Sequence, residues 1–154
     1  MALHTNPIVK AEMLIRRPVE EVYEAFVDPA ITTKFWFTKS SGRLEAEKHV
    51  LWEWEMYGVS DEVYVKEIEP NKRILVQSSD GTHTEWVFTP RQGEKTFVTI
   101  TNTGFAGKEE EIVSQAIDSM GGYTMVLCGL KAFLEHGIVL NLVADKAPDA
   151  HVNR

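Results

Sequence analysis

Residues 109–136 read EEEIVSQAIDSMGGYTMVLCGLKAFLEH, and the fold turns on them. Ile112, Ala116, Met120, Tyr123, Leu127, Leu130 and Leu134 recur every three or four residues, the spacing that gathers side chains on one helical face. At ~1.5 Å per residue such a helix is roughly 40 Å long, enough to cross a small domain. Gly137 stands where it should stop, because the left-handed turn that closes a helix suits glycine, and Lys131 and His136 complement the C-terminal dipole. Gly121-Gly122 costs about 1 kcal/mol per glycine against alanine, yet the apolar stripe keeps its phase across the pair. The pair therefore predicts a close approach by a strand or a ligand.

Upstream, the period changes from helical to two. Val9, Ala11, Met13 and Ile15 alternate with Lys10 and Glu12 across a half-buried strand over 8–15. Pro18 opens a short helix with Val19, Val22, Tyr23 and Phe26 on its inner face, and Asp28-Pro29 ends it and caps a second that runs toward Trp36. Over 49–57, Val50, Trp52, Trp54 and Met56 oppose Leu51, Glu53, Glu55 and Tyr57, a pattern no helix can use. Strands over 62–69 and 74–79 follow, joined at Pro70-Asn71, and Asp80-Gly81 predicts a hairpin. Thr84, Trp86 and Phe88 then alternate up to Pro90, and Val98, Ile100 and Asn102 alternate after a turn at Gln92-Gly93. Six or so antiparallel strands followed by one long helix predict an α+β fold, a sheet curled around a helix, with the geometry to enclose a cavity.

The chain has 154 residues, which suits one domain with a core over 7–137 and a tail over 138–154. Its net charge of -7 disfavours nucleic acid, which needs clustered Lys and Arg. No apolar run reaches the ~20 residues of a membrane span, and Met1 to Pro7 shows no secretory signal, so a cytoplasmic protein is expected. Cys128 is the single cysteine and reads as a buried core thiol. The five histidines, His4, His49, His83, His136 and His151, share no ligand spacing, so no metal site and no cofactor is expected. In the tail, Ile138, Val139, Leu140, Leu142 and Val143 are too apolar to stay in water; they predict docking on the chain's own sheet or, preferably, on a second subunit in a homodimer.

The candidate site is the aromatic strand face. Trp52, Trp54 and Met56 with Trp86 and Phe88 either pack as core or line an apolar pocket together with Trp36. Met120, Tyr123 and Leu127 form the expected far wall, and strand parity adds Ser78, Thr84 and Asn102 as the polar groups of the same space. Glu53 and Glu55 fall on the opposite face as solvated charge. Ser114 and Ser119 lack the context of a nucleophile elbow, and the glycines form no phosphate loop.

Arg17-Pro18-Val19-Glu20-Glu21-Val22, Asp28-Pro29, Trp36-Phe37, Glu67-Ile68-Glu69-Pro70, Asn102-Thr103-Gly104-Phe105 and Gly122-Tyr123 together resemble the activator-of-heat-shock-protein-ATPase homology family of the START-like (helix-grip) superfamily. The resemblance spans about residues 7 to 137 and implies a strand, two short helices, a curled antiparallel sheet and a C-terminal helix gripped by it. It departs at Tyr123, where the family often has Trp. The eukaryotic co-chaperones of this name carry a further N-terminal domain, so activation of a chaperone ATPase is not implied. Three functions are left in view: binding of a small hydrophobic molecule, a cyclase or dehydratase that polarises a carbonyl with Tyr123 or Asn102, and a chaperone-associated interaction protein.

Overall fold

The alternation at the start of the chain becomes β1 (Val9–Ile15) in a computed structural model that describes residues 6–152; His4 lies outside the described residues. Helices α1 (Val19–Val27) and α2 (Pro29–Thr32) follow, with the Asp28 carboxylate accepting the Ala30 N–H at 3.0 Å to cap the second. Then come β2 (Lys39–Ser40), β3 (His49–Trp54), β4 (Val59–Glu69), β5 (Arg73–Gln77), β6 (His83–Arg91) and β7 (Lys95–Thr103). Helix α3 occupies Glu109–His136, the range its periodicity predicts, and Gly137 closes it at φ 66°. A short α4 (Leu142–Lys146) lies in the tail.

The seven strands form one antiparallel sheet in the order β1-β7-β6-β5-β4-β3-β2, so the first strand pairs with the last. A register shift between Val65 and Glu67 moves the inward positions of β4 from Val63 and Val65 to Ile68. Such a bulge bends its strand and helps curl the sheet. Val22 and Phe26 from α1 meet Ile74, Trp86, Phe88, Val98 and Ile100 from the sheet, and Leu127 and Leu130 of α3 complete this core. This is the α+β helix-grip arrangement.

Helix α3 does not bury its whole stripe. Only Val126, Leu127, Gly129 and Leu130 are buried along it, whereas Val113, Ile117 and Met120 are exposed. The C-terminal half lies against β1, and a polar clamp fastens it there. Lys131 Nζ donates to the Leu14 carbonyl at 2.9 Å and to Glu135 at 2.6 Å, and Glu135 accepts the Arg16 N–H at 2.9 Å. Burial alone would raise the Glu135 carboxyl, but the Arg16 amide and the Lys131 ammonium outweigh it and hold the group below the usual carboxylate range.

Several expectations are corrected. No strand approaches Gly121 or Gly122, since a Cβ added at either meets nothing within 4 Å, and Gly122 borders open space. The close approach is made instead by Gly129, whose added Cβ would stand 3.1 Å from the Phe35 Cβ and 3.2 Å from the Phe35 carbonyl oxygen. Cys128 is exposed, because it lies on the outer side of the helix with Thr124. Strand β3 stops at Trp54, where a 3-10 turn over Glu55–Tyr57 and a left-handed Gly58 replace the alternation expected up to residue 57. Part of the tail docks on its own chain, the first of the two expected modes, and a homodimer stays compatible with it. Tyr57 donates its hydroxyl hydrogen to the Val143 carbonyl and Val152 N–H bonds the Met56 carbonyl at 2.9 Å, whereas Ile138, Val139 and Leu140 stay exposed.

Two outcomes test this anchoring. Gly129→Ala should destabilise the protein by about 1–3 kcal/mol through overpacking on Phe35, while Gly121→Ala should stabilise it by about 0.5–1 kcal/mol; urea denaturation reads both. Glu135→Gln should lose about 1–2 kcal/mol near neutral pH with its charged hydrogen bonds. A carboxyl depressed by folding contributes above its unfolded pKa of about 4.3 and loses that contribution as pH falls through the folded value. Thermal midpoints of variant and parent should therefore separate at pH 7 and converge below about pH 4.

Candidate functional site

Because α3 is fastened at its C-terminal half, its N-terminal half stands off the sheet. The space left between them is a cavity of about 470 Å³. That volume lies within the range of small-molecule sites, about 300–1,000 Å³, and far exceeds the water-sized voids of a packed interior.

One wall is aromatic. Trp36, from the segment after α2, sits at its centre, with ring centroids 4.9 Å from Trp52, 6.2 Å from Trp54 and 5.8 Å from Tyr123. Phe37 stacks behind Trp52 at 5.0 Å with an interplanar angle of 17°. Trp52 is buried, while Trp36, Trp54 and Tyr123 are half-buried and leave ring surface on the open space. Tilted and edge-to-face pairs of this kind hold one another in place, each contributing about 0.5–1.5 kcal/mol beyond area burial.

The other wall is polar and tied together. Asn102 of β7 is buried; its Nδ2 donates to the His83 carbonyl at 2.8 Å and to Thr84 Oγ1 at 3.1 Å, and its Oδ1 accepts from Ser119 Oγ at 2.6 Å. Thr84 Oγ1 lies 3.0 Å from the Tyr123 hydroxyl. With one lone pair of Thr84 already taken by Asn102, donation from Thr84 to Tyr123 satisfies both groups and frees the phenolic hydrogen. Burial pushes the Tyr123 phenol up to about 12; the Thr84 bond opposes that shift, and the fields of Asp61 and Asp80 add to it. Tyr123 is therefore a neutral hydrogen-bond donor across the physiological range.

Of the residues singled out from sequence, Trp36, Trp52, Trp54, Ser78, Asn102 and Tyr123 line the cavity. Thr84 stands one hydrogen bond behind it. Trp86, Phe88 and Leu127 belong to the core beneath. The Trp86 indole Nε1 is buried without a hydrogen-bond partner among the described residues. Met120 lies on the outer face of α3, 42% exposed, because the helix is turned so that Gln115, Asp118, Ser119, Gly122 and Val126 face the cavity instead. Met56 is carried by the 3-10 turn into a small cleft under Leu142, and Tyr57, assigned by alternation to the outer face, takes its place at the mouth.

Asp61 and Asp80 also line the cavity. Asp61 was legible in principle, since it precedes Val63 and Val65 at the same parity and pairs across the ladder with Trp52. Asp80, in the β5–β6 turn, carried no such signal. No group of three or more His, Cys, Asp or Glu able to hold a metal occurs among the described residues.

A curled antiparallel sheet gripping a C-terminal helix, with a cavity between the two, defines the START-like class. The chain belongs to the family described as Activator of Hsp90 ATPase homolog 1-like protein, which matches residues 16–135. A search of curated proteins finds no match. Among solved structures, SSP2350 from Staphylococcus saprophyticus is 29% identical, with a TM-score of 0.75 over 87% of this chain and 96% of that one. DynU16, from the dynemicin biosynthetic locus, is 20% identical, with a TM-score of 0.76 over 88% of this chain and 49% of that one. The Aha1 dimer from Colwellia psychrerythraea is 19% identical, with a TM-score of 0.71 over 85% and 98%. The last two share the fold. No helix among the described residues is long and apolar enough to cross a membrane.

Proposed function

We propose that the chain binds a small, largely apolar molecule between the sheet and the N-terminal half of α3. The observation that carries this reading is the cavity itself. Some 470 Å³ stays open beside four large rings that could have closed it. Aromatic surface beside a void forfeits both burial and dispersion contacts, and a ligand restores them. The reading predicts that Nile red, a neutral fluorescent probe, binds and brightens. Trp54→Ala should weaken that binding about tenfold, the equivalent of about 1.4 kcal/mol, with folding retained. If Nile red does not bind, or if Trp54→Ala costs the apo protein the 3–5 kcal/mol typical of a packed core, the ring cluster is core and the reading is wrong.

A second reading is supported by the Ser119–Asn102–Thr84–Tyr123 chain. It presents a neutral phenolic donor to the cavity, the group that would polarise a ligand carbonyl in a cyclase or dehydratase. DynU16, which shares the fold, comes from a biosynthetic locus. Tyr123→Phe distinguishes the two readings. A binding protein should keep its Nile red affinity within about twofold, since the change removes one polar atom. An enzyme should lose turnover of an aromatic polyketone, followed by mass spectrometry, while still binding it.

A further inference from the structure

We propose that the ligand of this cavity is an organic cation, an apolar body carrying a protonated or quaternary amine. The inference rests on the cavity being a ligand site and adds the charge the ligand carries. Among the described residues no Lys, Arg or His lines the cavity, whereas Asp61, Asp80 and Asp118 do. The chain is not short of basic residues, with 16 Lys and Arg in all. The ion pairs they form lie away from the cavity: Arg17 with Glu21, Arg43 with Glu24, Lys48 with Glu45, Arg73 with Glu67 and Glu85, and Lys131 with Glu135. None of the three aspartates belongs to an ion pair among the described residues.

Their placement suits a charged head at the mouth. Asp61 stands opposite Trp52 in the β3–β4 ladder and is half-buried. Its Oδ1 accepts from Ser79 N–H at 3.1 Å and Ser79 Oγ at 2.7 Å. Asp80 uses its Oδ1 in the same way on Thr82, at 2.9 Å and 2.7 Å. One oxygen of each thus fixes a loop, and neither second oxygen has a hydrogen bond among the described residues. Asp118, on the helix side, has no hydrogen bond or ion pair among them. Three carboxylates therefore flank the opening from both walls without a counter-charge among the described residues, above a floor of tryptophan rings.

The two kinds of surface favour the same ligand. Indole faces carry a negative quadrupole and attract ammonium groups, more so where water is thinned. Carboxylates add direct attraction, and the influence of Asp61 and Asp80 extends as far as the Tyr123 hydroxyl. A ligand bearing a carboxylate, sulfate or phosphate would meet like charge with no basic side chain to relieve it. A neutral ligand would gain only the aromatic contact.

The test is a matched series of phenylbutylamine, phenylbutanol and phenylbutyrate, titrated calorimetrically into the intact protein at neutral pH and low salt. The amine, protonated there, should bind about tenfold more tightly than the alcohol, and the carboxylate weakest. Raising the salt should shrink the amine's advantage, as screening of exposed charges requires. Asp118→Asn, which breaks no hydrogen bond among the described residues, should lower the amine's affinity about threefold more than the alcohol's. Equal affinities for amine and alcohol, or a preference for the carboxylate, would overturn the cation while Nile red binding still upheld the cavity. If neither Nile red nor any of the three binds, the cavity reading falls and this inference with it.

Discussion

The contact of Gly129 with Phe35 fixes where α3 can lie, and the cavity exists because the contact is at one end. With no side chain at 129, the helix backbone comes down onto the segment after α2. Leu127 and Leu130 flank that contact in the core, and the Lys131–Glu135 clamp holds the next turn to β1. A straight helix pinned this way cannot follow a sheet that curls away from it, so its first half leaves the sheet and the space opens beneath. The same constraint strands Val113, Ile117 and Met120 on the outside.

Without apolar burial to hold it, the free half is tethered by polar bonds at the rim. Gln115 Nε2 donates to the Ala106 carbonyl at 3.0 Å, and Ser119 reaches Asn102. Three glutamates in the first turn favour the positive end of the helix dipole. Each of these is weak beside the packing of the other half. The helix is thus rigid where it joins the core and lightly held where it covers the cavity, the distribution of local stability that ligand sites draw on.

The tail adds a second cover to the same mouth. The 3-10 turn after β3 presents Tyr57 to the cavity, and the Tyr57 hydroxyl holds the Val143 carbonyl. Val143 lines the same cavity beside it. An irregular turn, a short helix and the free half of α3 therefore meet around one entrance, while the regular strands form its floor. Tyr57 and Asp80 come from turns, whose backbone positions are not committed to a ladder.

How much was legible follows from which signals are local. Period two and period 3.6 are properties of consecutive residues, so β1, β6, β7 and the full extent of α3 with its Gly137 stop could be read directly from sequence. The inward parity of Trp52, Trp54, Ser78, Thr84 and Asn102 came with them, because a strand has only two faces. The two-residue β2 and the turn at Glu55–Tyr57 are too short to show a period, so Met56 was misassigned and Tyr57 missed. On α3 the sequence gives an apolar stripe over 100° wide but not which edge of it meets the sheet. That choice is made by the fit of Gly129 against Phe35, 94 residues earlier. It turned Met120 and Cys128 outward and brought Asp118, Ser119 and Gly122 to the cavity. The sequence alone determined the elements and the faces of the strands. The rotation of the helix, and with it whether its aromatic neighbours close into core or border a cavity, was decided only by contacts between distant segments.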